Sequence, residues 1–503
     1  MTHAMKNTLL AAALAALGAA LPAASGETAL TVYSSARPGT LDPRVFRSGG
    51  EGVQVPGYAL VREERAFALK PGRNVLRVSD VPAMIDPTTV AFTSLTDPAG
   101  TRVVEQSFEF DLTSAAKLLS RYLDRDITVE QSRAGGNVES YSGTLVGTQG
   151  GLTLRQPDGS VRIVETHTGI RLPSLPGGLI SKPTLVWDIE AAVGAAHQAR
   201  FTYQTGGVTW WADYNLAYSE PRGGGCRLEV AAWVTLVNQS GASYRDARLK
   251  LVAGDVQRVQ PRQVAPQPAM MASRTADRAE GFAEKAFFEY HLYTLGRTTT
   301  IPDNSTKQIE LFPMAPGVGC EKALVYQGQA GFHPVYGSPM IDRGFGVQSN
   351  RKVDVYLRFR NSKDNGLGVP LPAGKVRVAK MDATDKSLEF IGEDVIDHLP
   401  RDETVQIRLG SAFDVVGERK QLDFRIDTNA KWMEEDIEVR VRNQKPDEAA
   451  AVIVKENLYR WSTWNVTRKS HDFTKEDART IHFPLELAPK AEGVVRYTVR
   501  YTW

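Results

Sequence analysis

Apolar residues recur at every second position over most of this chain, in short runs bounded by Gly, Pro, Asn and Asp. That period belongs to strands with one buried face, so the pattern predicts a mainly β protein. Residues 58–69 alternate in this way up to the turn Lys70-Pro71-Gly72, and 74–78, 90–95 and 101–110 follow, broken by Asp86-Pro87 and Asp97-Pro98. One segment departs from period two. Ala115, Leu118, Leu119 and Tyr122 fall on one face of a helix, with Thr113 or Ser114 as its cap and Arg121 and Arg125 near its negative end. Five short runs come next, at 127–131, 140–146, 152–154, 161–164 and 170–172, separated by glycine turns. A short helix with five tight strands predicts a small barrel of the SH3-like or Sm-like type.

Longer alternating strands begin near residue 184, at 199–205, 208–218, 227–237 and 247–253, and predict an antiparallel sandwich. Residues 257–281 interrupt them with Gln, Pro, Ala and Met, the composition of a mobile linker. After further strands, 437–442, 450–456, 481–487 and 494–501 read as an immunoglobulin-like unit. The expected organisation is therefore a leader over 1–25, a β domain over 27–110, the barrel over 111–183, a central sandwich region over 184–428 and a final unit over 429–503. The fold class is mainly β: multidomain antiparallel sandwiches with one small barrel and one short helix. No short-period repeat of the solenoid or propeller kind is visible.

The first residues change the picture by suggesting a compartment. Lys6 precedes an apolar run from Leu9 to Leu21, Pro22 breaks it, and Ala23, Ala24, Ser25 and Gly26 supply small residues for cleavage. The run has 13 residues, short of the roughly 20 that span a bilayer. An export signal explains this better than a buried helix, and it predicts a periplasmic or secreted protein with no transmembrane anchor once the signal is removed. Charge adds an exclusion. Sixty Lys and Arg against 58 Asp and Glu give a net charge of +2, so no general field attracts nucleic acid. Two cysteines exclude a disulfide scaffold or a multi-cysteine metal protein. In an oxidising compartment Cys226 and Cys320 form a possible disulfide; the alternative is two separate buried thiols.

Several runs are familiar as a set. Gly206-Gly-Val-Thr-Trp-Trp-Ala-Asp-Tyr-Asn215, Trp233-Val-Thr-Leu-Val-Asn-Gln-Ser-Gly241 with Leu249-Lys-Leu-Val-Ala-Gly-Asp255, and Phe288-Glu-Tyr-His-Leu-Tyr-Thr-Leu295 are three of them. Thr300-Ile-Pro-Asp-Asn304, Leu458-Tyr-Arg-Trp461 and the ending Tyr497-Thr-Val-Arg-Tyr-Thr-Trp503 belong with them. Together they resemble a bacterial domain of unknown function represented by the mucoidy-inhibitor-like proteins, most strongly from about residue 185 onward. The resemblance implies an exported β-rich protein with an influence on envelope polysaccharide. The coiled coil that many such proteins carry has no counterpart here.

No HExxH, GxSxG, Walker or complete GxGxxG pattern occurs, and the histidines are scattered without metal-ligand spacing. No cofactor is predicted. Asp213 and Asp255 are the carboxylates placed at or near apolar strands, each either an acid with altered pKa or a turn acceptor for backbone amides. His291 alternates with Tyr290 and Tyr293 and reads as a packed or hydrogen-bonded residue, and Glu434-Glu435-Asp436 as a solvated edge. Aromatic residues carry the more informative signal. Trp210 and Trp211 are adjacent in a strand and point to opposite faces, and Trp461 and Trp464 form a second pair. Such side chains either fill cores or stack on sugars and partner surfaces. The ligand-binding candidates are therefore Trp210, Trp211, Asp213, Trp461 and Trp464. The function expected is non-enzymatic contact with envelope proteins or polysaccharide; the alternative is an envelope hydrolase whose carboxylates lie far apart in sequence.

Overall fold

The computed structural model describes residues 26–33, 55–110, 114–132, 137–174, 180, 182–221, 225–254, 256, 282–287, 290–329, 337–382, 384–385 and 387–503. The expected leader over 1–25, the expected linker over 257–281, and Asp255 lie outside the described residues. Among the described residues the fold is mainly β, built of largely antiparallel sheets with a single short α-helix. Among the described residues no helix is long and apolar enough to cross a membrane.

Three apolar cores organise the chain. The largest runs from Leu30 and Val32 through Trp187, Phe201 and Trp210 to Leu357 and Ile407. It joins segments that the sequence separates. A seven-stranded sheet places Thr28–Tyr33 between Tyr58–Leu69 and Tyr244–Ala253, and a three-stranded sheet holds Thr184–Ala191 between Gly72–Val78 and Thr101–Glu109. Residues 27–110 thus share sheets with strands from beyond 183. The small unit has its own core of Tyr122, Ile127, Val129, Leu145, Leu152, Leu154 and Val164. Its helix, Ala115–Arg121, starts at Ser114, whose side chain accepts from the Lys117 amide. The five strands lie in the order Gly169–Arg171, Asp126–Ser132, Val138–Gly147, Leu152–Arg155, Val161–Val164, and no pairing that closes them into a barrel is among the described strand pairs.

The third core lies in the C-terminal unit, between Trp432–Asn443 with Glu492–Thr502 on one side and Ala450–Asn457 with Thr480–Leu487 on the other. Trp432–Asn443 is a central strand, paired on both sides, so Glu434-Glu435-Asp436 is not the solvated edge the sequence suggested. Alternation splits the three acids. Glu435 points inward and is buried, whereas Glu434 and Asp436 face outward and pair with Arg425, and with Arg500 and Arg468 respectively.

One large sheet contributes to both the first and the third core, in the order Leu388–Ile396, Gly374–Met381, Val208–Ser219, Cys226–Asn238, Ser305–Tyr326, Lys352–Arg360, Thr404–Asp427, Trp432–Asn443, Glu492–Thr502 and Trp464–Lys469. Within it one device occurs three times. Asn238, Asn361 and Asn443 stand at or just beyond the ends of strands, each with 0% exposure. The Asn238 amide donates to the carbonyls of Ala242, Ile301 and Pro302; Asn361 donates to Val369 and Pro400; Asn443 donates to Glu448, Leu487 and Ala488. Each amide oxygen accepts a backbone N–H in return, from Ser240, Gly368 and Lys445. In each case the second loop bears a left-handed residue, Asn304, Asp402 or Lys490, just before the returning strand. The asparagine therefore ties a strand's own turn to the turn that brings its neighbour back. Its loss leaves buried carbonyls without donors. Asn443→Ala is expected to lower stability by about 3 kcal/mol, read from the guanidinium midpoint. A loss below about 1 kcal/mol would show that water reaches those carbonyls.

Candidate functional site

The Gly206-Gly207 turn feeds the strand Val208–Ser219, which has sheet neighbours on both sides. Trp210 is fully buried in the main core and meets the Tyr293 ring edge-on at 6.2 Å. Trp211, on the opposite face, is buried too. Its indole Nε1 donates to Asp213 Oδ2 at 2.9 Å. Thr235 on the neighbouring strand donates to the same oxygen, and Arg377 Nη1 reaches Oδ1 at 3.0 Å. Gln308 Nε2 in turn donates to Thr235 Oγ1. Both oxygens of Asp213 are thus occupied by three donors, which makes it the hub of a cross-strand network. Trp233, directly opposite Asp213 in the ladder, is 37% exposed and leaves an aromatic surface beside this network.

Trp461 and Trp464 sit at one end of the C-terminal sandwich, half-buried against its core together with Trp503. Trp464 pairs with Tyr501, its Nε1 donates to the Ala478 carbonyl, and the Lys475 ammonium lies 4.9 Å from its ring centroid. Trp432 lies at the same strand ends but on the other face, with Arg500 over its ring. The two groups of candidates are not brought together: one belongs to Val208–Ser219, the other to the C-terminal rim.

Other polar pairs are closed in. Ser94 Oγ and His197 Nδ1 are 3.0 Å apart, but His197 has no exposure and its Nε2 contacts the Val193 carbonyl, so no substrate reaches this serine–histidine pair. His291 Nδ1 contacts Glu284, which also binds Arg401. Burial resists the Glu284 charge, and hydrogen bonds and charge from His291 and Arg401 overcome it, so its carboxyl titrates below the usual range. Cys226 and Cys320 face each other across Cys226–Asn238 and Ser305–Tyr326 and are joined in a disulfide, with Cα atoms 5.0 Å apart. Among the described residues no group of three or more His, Cys, Asp or Glu could hold a metal ion.

Sequence spacing did not reveal two further features. The first is a buried ion network under the segment 340–350. Arg419 Nε bonds Glu456 Oε2 at 2.8 Å, and Tyr497 donates to the same oxygen. Arg460 lies 2.8 Å from Glu435, donates to the carbonyls of Met340, Asp342 and Phe345, and is stacked between Phe345 and Phe424. The cavity beside it, about 10 Å³, is too small for any ligand beyond a water. The network is a staple for the segment above it. The only sequence signal was Leu458-Tyr-Arg-Trp461, a charge within an apolar run.

The second is a cleft of about 250 Å³ lined by Tyr218, Glu220, Lys322, Lys380 and the apolar side chains of Val355, Leu357, Ile391 and Leu409. The Tyr218 hydroxyl donates to Glu220 at 2.6 Å, and Lys380 and Lys322 approach the same carboxylate at 2.9 and 3.5 Å. The tyrosine hydrogen bond and then the lysines, working against burial, hold the Glu220 carboxyl down at about 2. A depressed folded-state pKa means stability that is present above the ordinary glutamate range and lost as pH falls through it toward 2. Glu220→Gln is expected to flatten the fall in unfolding temperature between about pH 5 and pH 2, by a small amount because the group is partly exposed. An unchanged slope would place the acid sensitivity elsewhere.

No family model matches the chain, and no curated protein matches it.

Proposed function

We propose that this chain is an exported envelope protein with a binding or structural role, making contact with polysaccharide or protein rather than catalysing a reaction. The observation that carries this reading is the contrast between its carboxylates and its tryptophans. Asp213, the described carboxylate best placed for acid chemistry, has both oxygens taken by Trp211, Thr235 and Arg377. Trp233, Trp461 and Trp464 keep part of their rings at sheet surfaces and rims. Amphipathic rings in such places suit stacking on sugars or on a partner's apolar side chains. The apolar leader over 1–25 and the resemblance to the mucoidy-inhibitor-like proteins support an envelope location.

The test is co-sedimentation of the leaderless chain with purified, insoluble envelope polysaccharide. Retention that falls several-fold in Trp461→Ala and Trp464→Ala, with unfolding midpoints kept, supports polysaccharide contact. Retention that ignores both substitutions and Trp233→Ala moves the contact off these rings. Steady release of soluble reducing ends would overturn the non-enzymatic reading.

A further inference from the structure

The 250 Å³ cleft lies where the large sheet rolls back on itself. Counted from its edge, the sheet runs Leu388–Ile396, Gly374–Met381, Val208–Ser219, Cys226–Asn238, Ser305–Tyr326, Lys352–Arg360 and Thr404–Asp427. The last of these then meets the first. The Arg408 amide donates to Asp394, and a side chain on Gly392 would strike the Leu409 carbonyl, so the two strands are in close contact. The inside of the roll is packed with Leu216, Leu228, Val376, Val378, Leu357 and Ile407. Packing stops short of one end. There Val355, Ile391 and Leu409 stay half-buried, and the cleft opens between Tyr218 and Lys380 on one wall and Lys322 and Ser411 on the other. The mouths of rolled sheets are recurrent ligand sites because the walls are apolar and the rim is not.

Two features specify what fits. The walls are aliphatic, and at about 30 Å³ for each water-sized group the space holds roughly eight methylenes. The rim carries Lys322, Lys380 and Glu220, a charge of +1 among the residues that line the cleft. Each ammonium has three N–H donors. Lys380 directs one to Glu220, and Lys322 is shared between Glu220 and Glu448, which leaves donors for an incoming anion. The surface at the same end is apolar as well. Met381, Leu388 and Phe390 share the outer face of the edge hairpin, turned away from the cleft-lining Lys380 and Ile391, and are 51%, 58% and 63% exposed, and Phe413, two residues past Ser411, is 94% exposed.

We propose that this cleft binds a single-chain anionic amphiphile, its aliphatic chain inside the roll and its head group on Lys322 and Lys380. Inorganic anions lack the chain and cationic amphiphiles meet the wrong charge. The reading is independent of sugar stacking at the C-terminal rim, which lies on other strands.

Titration calorimetry of the full chain tests it with octanoate, octyltrimethylammonium and acetate at equal concentrations. Octanoate is expected to saturate one site and to bind at least about tenfold tighter than the cation, with no heat from acetate. Ile391→Trp, which fills the cleft, should abolish octanoate binding while keeping the unfolding midpoint. If that variant does not fold, the Lys322→Gln, Lys380→Gln double variant at the exposed rim decides, and should remove the preference for octanoate over the cation. Absence of saturable octanoate binding, equal affinity for both amphiphiles, or unchanged binding by a folded Ile391→Trp protein would each overturn the proposal.

Discussion

Glu456→Ala is expected to destabilise the C-terminal unit by about 3–5 kcal/mol, the cost of stranding a buried charge. Arg419 and Glu456 are almost wholly enclosed, and Glu456 also accepts from Tyr497. Burial opposes the guanidinium charge, yet the Glu456 carboxylate holds Arg419 protonated, and burial joined by the same charge pushes the Tyr497 phenol well above its ordinary value. Removing the carboxylate leaves a buried cation without its ion-pair partner, its remaining side-chain hydrogen bond among the described residues going to the Gly346 carbonyl. The comparison that isolates this cause is the double replacement Arg419→Met with Glu456→Leu. A paired apolar substitution avoids the stranded charge, so most of the loss should be recovered. Guanidinium unfolding followed by fluorescence reads all three proteins. A single variant that loses less than about 1 kcal/mol would mean that solvent reaches the pair. Because Arg419 and Arg460 also hold the segment 340–350, Glu456→Ala should make that segment cleavable by protease before the unit unfolds.

This network shows where sequence reading stops. Alternation over 437–442 was legible, and so was the neighbouring run over 494–501. A run of three acids resembles a solvated edge because charge normally avoids the interior. Nothing local says that Glu435 turns inward to Arg460, since the partner comes from another strand and is fixed only when the sheet closes. The same limit applies to the asparagine device. Asn238, Asn361 and Asn443 each follow an apolar strand and precede a turn, but the insertions between them differ in length, so no fixed period exists to detect. Their equivalence is three-dimensional: each reaches the carbonyls of a returning turn. The helix Ala115–Arg121 was legible for the opposite reason, because both its period and its cap are local. Domain limits were less so. The 27–110 segment reads as a unit by its turns, yet Thr28–Tyr33 takes a parallel place beside Tyr244–Ala253, a pairing that no short-range pattern encodes. For the candidate site, residue type was informative and location was not. Trp211 and Asp213 stood out separately by residue type, and only the folded strand shows the hydrogen bond between them, while the lysine-rimmed cleft gathers residues from six strands.

The second large effect is expected from the disulfide. Cys226 opens one central strand and Cys320 lies on the strand that pairs with it, with 94 residues of separation, so the bridge closes a long loop. A cross-link of that span removes much of the freedom of the unfolded chain and contributes about 4–5 kcal/mol in the chain-entropy account. The loop is long in sequence but its ends are already neighbours in the ladder, so the folded state changes little when the bond is absent. Stability, not structure, should therefore carry the effect. Cys226→Ala with Cys320→Ala is expected to lower the guanidinium midpoint by that amount while leaving the far-ultraviolet spectrum unchanged. Reduction of the unsubstituted protein should reproduce the shift, and the doubly substituted protein should be indifferent to reductant. Neither protein under denaturing, non-reducing conditions should show titratable thiol: one has no cysteine and the other has both engaged. A midpoint that moves by less than about 1 kcal/mol would mean that the unfolded chain already keeps these two strands together, because a cross-link between segments that never separate removes no entropy.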